Sequence, residues 1–452
     1  MRHLPILLAF LIAQSFSSIS YAQIGKGGTP LSFQNEFVKQ ESYEIVQLAA
    51  PDMNIIEQQD IQAAQNGLFE RSGVSVKANL SIETHGTWHY LPDGSRVWRL
   101  GIKIPEAIAL TVVYDQFYIP PGAKLFLYNE LKTQIIGAFD NDNNPSGGLF
   151  ATELVEGDII TLEYQEPKHV AGKVKLDIAE LCYAYRGITH LRKYNPTKTT
   201  GWGTSDACEV NVNCSPVGDN WQDEKRSVAE IWLRDGGSWG WCTGSLINNT
   251  SHDGTPYFLT ANHCGGSTAS AADFQVWEFY FNYEAAGCPN PAVEPSYHTL
   301  IGCQKRSVGP IAGGSDFLLV ELNTTPGITI NPYYNGWDRR TITTTVPGVG
   351  IHHPSGDIKK ISTYNTRSIA GNINFGIGTT APNSMWHTIF VANANGHGVT
   401  EGGSSGSPLF NSNGLTIGTL TGGNSSCTNQ SGDNYYGAMF YHCLLYTSPS
   451  PR

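Results

Sequence analysis

The sequence predicts an all-β protein made of two consecutive β-rich modules, and three observations predict it. Among 452 residues there are 49 Gly, 21 Tyr and 10 Trp but only 4 Met, a mixture that favours short strands and tight turns over long helices. Short alternating or β-branched runs are bounded by Gly/Pro/Asp turn signals. Neither heptads nor an internal repeat of 20–50 residues is present. With 40% hydrophobic residues, a chain of this length can bury two or three cores.

In chain order, Arg2 and His3 precede an apolar stretch over residues 4–12 and then Ser20-Tyr21-Ala22. That is the pattern of a secretory signal peptide over residues 1–22, cleaved after Ala22. The apolar run is far short of the ~20 residues of a spanning helix, so the exported product is expected outside the membrane. Residues 23–80 read as an extended or partly helical leader. Strand-like runs follow at 96–100, 107–114, 123–128 and 159–164, separated by Pro92-Asp93-Gly94, Pro120-Pro121-Gly122 and Glu156-Gly157-Asp158. They predict a small β-sandwich-like module ending near Arg186. Residues 190–205, with Lys193, Lys198 and Gly201-Trp202-Gly203, read as an exposed linker open to nicking. From Cys208 the chain is β-rich again, with strand-like segments at 257–261, 316–322 and 415–420. The organisation is thus 1–22, 23–205 and 206–442. Residues 443–452 (Cys443 to Arg452) read as translated sequencing-adapter read-through.

The formal net charge is -11 and no Lys/Arg run stands out, which argues against a nucleic-acid partner. Nine Cys in an exported chain imply disulfides with at least one thiol left over. None forms a CxxC pair, so a structural zinc site is not expected.

Three segments carry chemistry. Gly402-Gly403-Ser404-Ser405-Gly406-Ser407-Pro408 can expose a hydroxyl and converge backbone N–H groups on one point; alone it also reads as a linker. Thr260-Ala261-Asn262-His263-Cys264 ends an apolar run, placing a His where an adjacent Cys can fix it as a general base; taken alone, the segment reads first as a structural His. In the segment from Ser315 to Leu322, Asp316 opens an apolar strand and needs a donor such as imidazole, although a strand-capping Asp has the same pattern. The order His263, Asp316, Ser405 is one of the known orders of a Ser-His-Asp triad.

With these residues in view, the chain from about Cys208 to Tyr441 resembles the lysyl endopeptidase group of secreted bacterial trypsin-like serine proteases. The resemblance rests on the segments 242–250, 257–265, 315–323, 336–340, 351–354 and 399–408. It implies a chymotrypsin-like double β-barrel preceded by a propeptide. It makes His263 the general base, Asp316 its orienting carboxylate and Ser405 the nucleophile, with an oxyanion hole at the N–H groups of Gly403 and Ser405. It also implies the disulfides Cys208–Cys427, Cys214–Cys288 and Cys242–Cys264, leaving Cys182 and Cys303 without an assigned partner. No cofactor or metal is implied. His352-His353 could suggest a metal, but neighbouring side chains on a strand face opposite ways.

The resemblance implies protein or peptide substrates, a monomer, and a propeptide that inhibits intramolecularly. Ser404 stands where trypsin-style activation needs an Asp, so activation is expected by uncovering the cleft after cleavage at Lys198. The family's P1 pocket is carried onto Asp433, Thr421, Gly422 and Gly423, which implies a basic P1 residue. Thr421 replaces a His of the lysine-specific members, the spacing from Asp433 to Gly437 is one residue long, and an expected aromatic is absent from Ile369-Ala370-Gly371-Asn372. Lysine is therefore not separated from arginine. An inactive protease-fold binding protein and an exported β-rich adhesin are the competing readings.

Overall fold

The computed structural model describes residues 25–65, 70–186, 205–341 and 346–446. The signal-peptide segment, Lys198 with the rest of the linker, and the end of the tail lie outside the described residues.

The upstream module places two sheets over one core. The first runs in the order Glu44–Gln47, Arg96–Lys103, Ile159–Glu166, Lys124–Asn129, Ile135–Phe139, with Thr87–Tyr90 beside Arg96–Lys103. The second contains Arg71–Ser81, Lys175–Ala184 and Ala109–Tyr118. Trp98, Leu100, Leu162 and Tyr164 from one sheet pack with Leu110, Val112, Phe117 and Leu181 from the other. Alternation in these strands puts one apolar set on the shared face.

The supposed leader over residues 23–80 departs from expectation. The helix Met53–Gln65 fits a partly helical leader, but the strands Glu44–Gln47 and Arg71–Ser81 belong to the sheets. The sequence of Arg71–Ser81 is polar enough to hide a strand. It is held because both edges are paired, with Lys175–Ala184 on one side and Ser238–Gly240 on the other.

That second pairing joins the modules. Ser238 lies opposite Val74 and Trp239 opposite Gly73, so the upstream sheet runs on into the downstream half. There the strands follow the order His298–Ile301, Glu278–Phe281, Val228–Asp235, Ser238–Leu246, Tyr257–Thr260, Phe317–Leu322, Cys303–Gly309. The two ends of this path meet at Gly302, but among the described residues no ladder closes it. The last half does close: Gly348–His352, Lys360–Ala370, Met385–Phe390, Asn434–Ala438, Thr416–Gly423 and Pro408–Phe410 form a six-stranded barrel. The expectation of two closed barrels is thus met by one closed barrel and one sheet in which the upstream module pairs with the first residues of the central strand Ser238–Leu246. Residues Met439–Tyr446, partly assigned to a non-native tail, form a helix. Its His442 is buried between the Ser315 and Thr419 hydroxyls.

Candidate active site

His263 sits in the short helical turn Asn262–Cys264, just after the strand Tyr257–Thr260. The Cys242–Cys264 disulfide ties this turn to the neighbouring strand Ser238–Leu246. Asp316 precedes the strand Phe317–Leu322, which pairs with Tyr257–Thr260, and so reaches His263 across the ladder. Its Oδ2 accepts from His263 Nδ1 at 2.7 Å and its Oδ1 from the His263 backbone N–H at 2.9 Å. With Nδ1 donating, the imidazole presents Nε2 as an acceptor. Asp316 is fully buried and has a left-handed φ of 57°, a conformation that Asp tolerates better than most residues. Burial disfavours the His263 imidazolium, but the Asp316 charge and hydrogen bond outweigh it and raise His263 above its ordinary value.

The loop carrying Ser405 is seated on the same strand that anchors His263. The Thr243 N–H donates to Ser405 O at 2.8 Å, and Thr243 Oγ1 donates to Gly403 O at 2.8 Å. Thr260 Oγ1 closes the set by donating to Thr243 O at 2.8 Å. Gly406, with φ 81°, packs so closely that a Cβ there would lie 2.1 Å from Thr260 Oγ1. Gly403 has φ 89° and lies under the His353 carbonyl, which a Cβ would meet at 3.0 Å. Within the loop, the N–H groups of Ser404, Gly406 and Ser407 are used internally or toward Leu420. Among the described residues those of Gly403 and Ser405 have no such partner, and both can serve a developing oxyanion.

Ser404 is held by His352, whose Nδ1 lies 2.9 Å from its hydroxyl while Nε2 lies 3.0 Å from Ser362 Oγ. Burial, then the Lys360 charge, lower His352 to about 3, so the ring is neutral. His353 instead points toward the Asp357 carbonyl and stacks on Tyr283. The two rings thus face apart. The disulfides Cys208–Cys427, Cys214–Cys288 and Cys242–Cys264 are all closed, while Cys182 and Cys303 are separate buried thiols.

The pocket residues divide. Thr421, Gly422 and Gly423 flank the Ser405 loop in the strand Thr416–Gly423. Among the described residues the buried Thr421 hydroxyl has no hydrogen-bond partner. Asp433 is not brought to that cleft: its Oδ1 lies 2.7 Å from His387 Nε2, and the carboxylate is 42% exposed. A one-residue change of register decides which face a side chain occupies, and the extra residue before Gly437 turns Asp433 outward. The aromatic sought at residues 369–372 comes three residues later, where Phe375 Cε1 lies 3.6 Å from the Cβ position of Gly422. Sequence reasoning also missed Glu70: its Oε2 lies only 2.7 Å from the Cβ position of Gly402.

Comparison with known proteins shows the family of the chain. The family model "Lysyl endopeptidase, C-terminal domain" matches residues 202–437. A lysyl endopeptidase of Pseudomonas aeruginosa is 30% identical over 437 residues, covering 89% of this chain and 87% of that protein. Among solved structures, the Rv3671c protease from M. tuberculosis in its active form is similar over 58% of this chain and 95% of its own, at 12% identity and a TM-score of 0.35. The HtrA-type protease AlgWS227A with tripeptide is similar over 50% of this chain and 61% of its own, at 14% identity and a TM-score of 0.35. From the family match and the full-length relative, this chain belongs to the lysyl endopeptidase family of serine proteases.

Proposed function

We propose that the chain is the precursor of a secreted serine endopeptidase that cuts peptide bonds through Ser405, His263 and Asp316. The observation that carries this is the double grip of Asp316 on His263, at 2.7 and 2.9 Å, beside a nucleophile loop fixed to the same strand.

Ser405 Oγ attacks the scissile carbonyl carbon while His263 Nε2 takes the hydroxyl proton. The carbonyl electron pair moves onto oxygen, where the N–H groups of Gly403 and Ser405 receive the charge; one such donor is worth about 3–4 kcal/mol. The intermediate collapses, the C–N bond breaks, and His263 returns the proton to the leaving amine. Water repeats the sequence on the acyl-enzyme and frees Ser405. Asp316 keeps its charge throughout and stabilises the imidazolium.

The upstream module is read as the inhibitory propeptide. Its strand Arg71–Ser81 pairs with Ser238–Gly240, and Glu70 rests against Gly402 at the mouth of the cleft. Cleavage in the linker, with Lys198 as the site, would release a monomeric enzyme, and N-terminal sequencing of the mature product tests this. A start well before residue 190 would overturn the site. A basic P1 residue needs a carboxylate facing the cleft, and Asp433 faces His387. The reading therefore covers the reaction and its protein or peptide substrates, without a lysine or arginine preference.

A fluorophosphonate probe tests the proposal. The processed enzyme should be labelled at Ser405 and the S405A variant should not. Absence of label on processed wild-type protein would instead support a protease-fold binding protein.

A further inference from the structure

Asp433 and Asn434 are neighbours with opposite surroundings. Asn434 is fully buried. Its Oδ1 accepts from Thr400 Oγ1 at 2.8 Å and from Ser425 Oγ at 2.7 Å. The Thr400 N–H also approaches Ser425 Oγ at 3.3 Å. Thr400 lies five residues before Ser405, and Ser425 lies just beyond Thr421-Gly422-Gly423. The Asn434 amide therefore ties together the two segments that flank the nucleophile.

Asp433 lies on the other face of the strand, as alternation requires. There it meets His387, whose ring lies 5.2 Å from that of Tyr435, two residues along on the same face. The backbones of Gly423 and Asp433 approach so closely that a Cβ on Gly423 would fall 2.1 Å from Asp433 O. This leaves little room for the Asp433 side chain to cross to the Asn434 face.

Besides Glu70 of the upstream module, Glu401 and Glu209 lie near the nucleophile loop, and among the described residues their polar partners do not include Asn434. Glu401 Oε1 accepts the Asp206 N–H at 2.9 Å, and its Oε2 accepts from Ser355 Oγ at 2.6 Å. Glu209 is buried with Oε2 3.9 Å from His352 Nε2, and burial holds it well above the carboxylate range.

Resting on the endopeptidase reading above, we propose that Asn434, with Thr400 and Ser425, forms the floor of the P1 pocket, and that the enzyme takes an uncharged P1 side chain. An ammonium or guanidinium placed there would be desolvated against hydroxyls and an amide, with no anion to repay the loss. The hydroxyl lone pairs of Thr400 and Ser425 and the Asn434 amide offer neutral acceptors and a donor. Those groups suit a carboxamide or another neutral polar side chain.

The test uses the processed enzyme and peptidyl diphenyl phosphonates that differ only at P1: Gln, Met, Lys and Arg. A small fluorophosphonate without a peptide serves as the control for the nucleophile. The Gln or Met probe should inactivate wild type at least about tenfold faster than the Lys probe, a difference that an unpaired buried charge readily produces. Asn434→Asp should raise the Lys rate relative to Gln by about tenfold or more, and added salt should weaken the gain. Asp433→Asn should leave the P1 order unchanged. Labelling by the small probe together with fastest inactivation by a P1 Lys or Arg peptide would overturn the pocket assignment. So would loss of that preference in Asp433→Asn. Failure of the small probe would overturn the nucleophile reading and this proposal with it. The wild-type and Asp433→Asn profiles decide the matter even if Asn434→Asp does not fold.

Discussion

Asp316 holds His263 at two points, the ring nitrogen at 2.7 Å and the backbone N–H of the same residue at 2.9 Å. One carboxylate therefore fixes the tautomer of the imidazole and the position of the turn that carries it. Because the Asp316 charge and hydrogen bond outweigh burial, His263 is raised above its ordinary value. The base must be neutral to accept the Ser405 proton, so activity should fall as pH drops through this raised value. The acidic limb of kcat/KM, which reports the base in the free enzyme, should lie above the ~6.5 of an unperturbed His. Asp316→Asn removes the opposing charge, leaves burial dominant and should move the limb to lower pH. Its kcat should fall by about 10⁴, the scale set by wrong-tautomer variants of other triads. A limb that stays in place in this variant would show that Asp316 is not what raises His263.

Gly403 tests the oxyanion turn. Its φ of 89° and the His353 carbonyl at 3.0 Å from a Cβ position make any side chain strained there. Gly403→Ala should lower kcat by about 10²–10³, the cost of one misplaced oxyanion donor, with KM little changed. Steady-state kinetics on the processed enzyme, with the folded fraction checked by circular dichroism, measure this split.

The Cys242–Cys264 bridge spans a sequence separation of 22 and joins the strand under Ser405 to the turn of His263. The paired Cys242→Ala and Cys264→Ala variant should lose about 3 kcal/mol of stability in the chain-entropy model. Because the same bridge positions the base, kcat should fall as well. Denaturant unfolding of an S405A background separates the stability loss from self-digestion.

The contact between His263 and Asp316 was legible because each lies in a short segment with its own chemistry, and their order ahead of Ser405 adds information that no single segment holds. Asp433, onto which the resemblance carried the P1 pocket, turns to His387, because strand faces alternate and one extra residue before Gly437 exchanges the sides of Asp433 and Asn434. No local propensity marks that exchange. The strand Arg71–Ser81 was hidden for a related reason. It is specified by partners on both edges, Lys175–Ala184 and Ser238–Gly240, which lie far away in sequence. Glu70 beside Gly402 was equally invisible, since it follows from how the modules dock.

That docking carries its own pH dependence. The upstream module buries Glu153 against the downstream half, where Glu278, Tyr280 and Tyr297 face it. Burial raises Glu153 from 4.5 to about 7. Glu278 is raised by burial despite the Tyr280 hydrogen bond, and Glu294 nearby is raised to about 8. A carboxyl raised on docking binds its proton more tightly in the docked state than when released. Its contribution is fully present below about 4.5, and docking is progressively lost as pH rises toward about 7. The full loss from Glu153 amounts to roughly 3 kcal/mol, counting about 1.4 kcal/mol for each unit. The S405A precursor should therefore show a melting temperature that falls between about pH 5 and 7. Glu153→Gln keeps the shape without the titrating proton and should flatten that fall by up to one proton's worth, leaving the share from Glu278 and Glu294. An unchanged slope in Glu153→Gln would mean that Glu153 is already solvated in the docked state. A flattened slope would make rising pH a factor that loosens the upstream module from the downstream half.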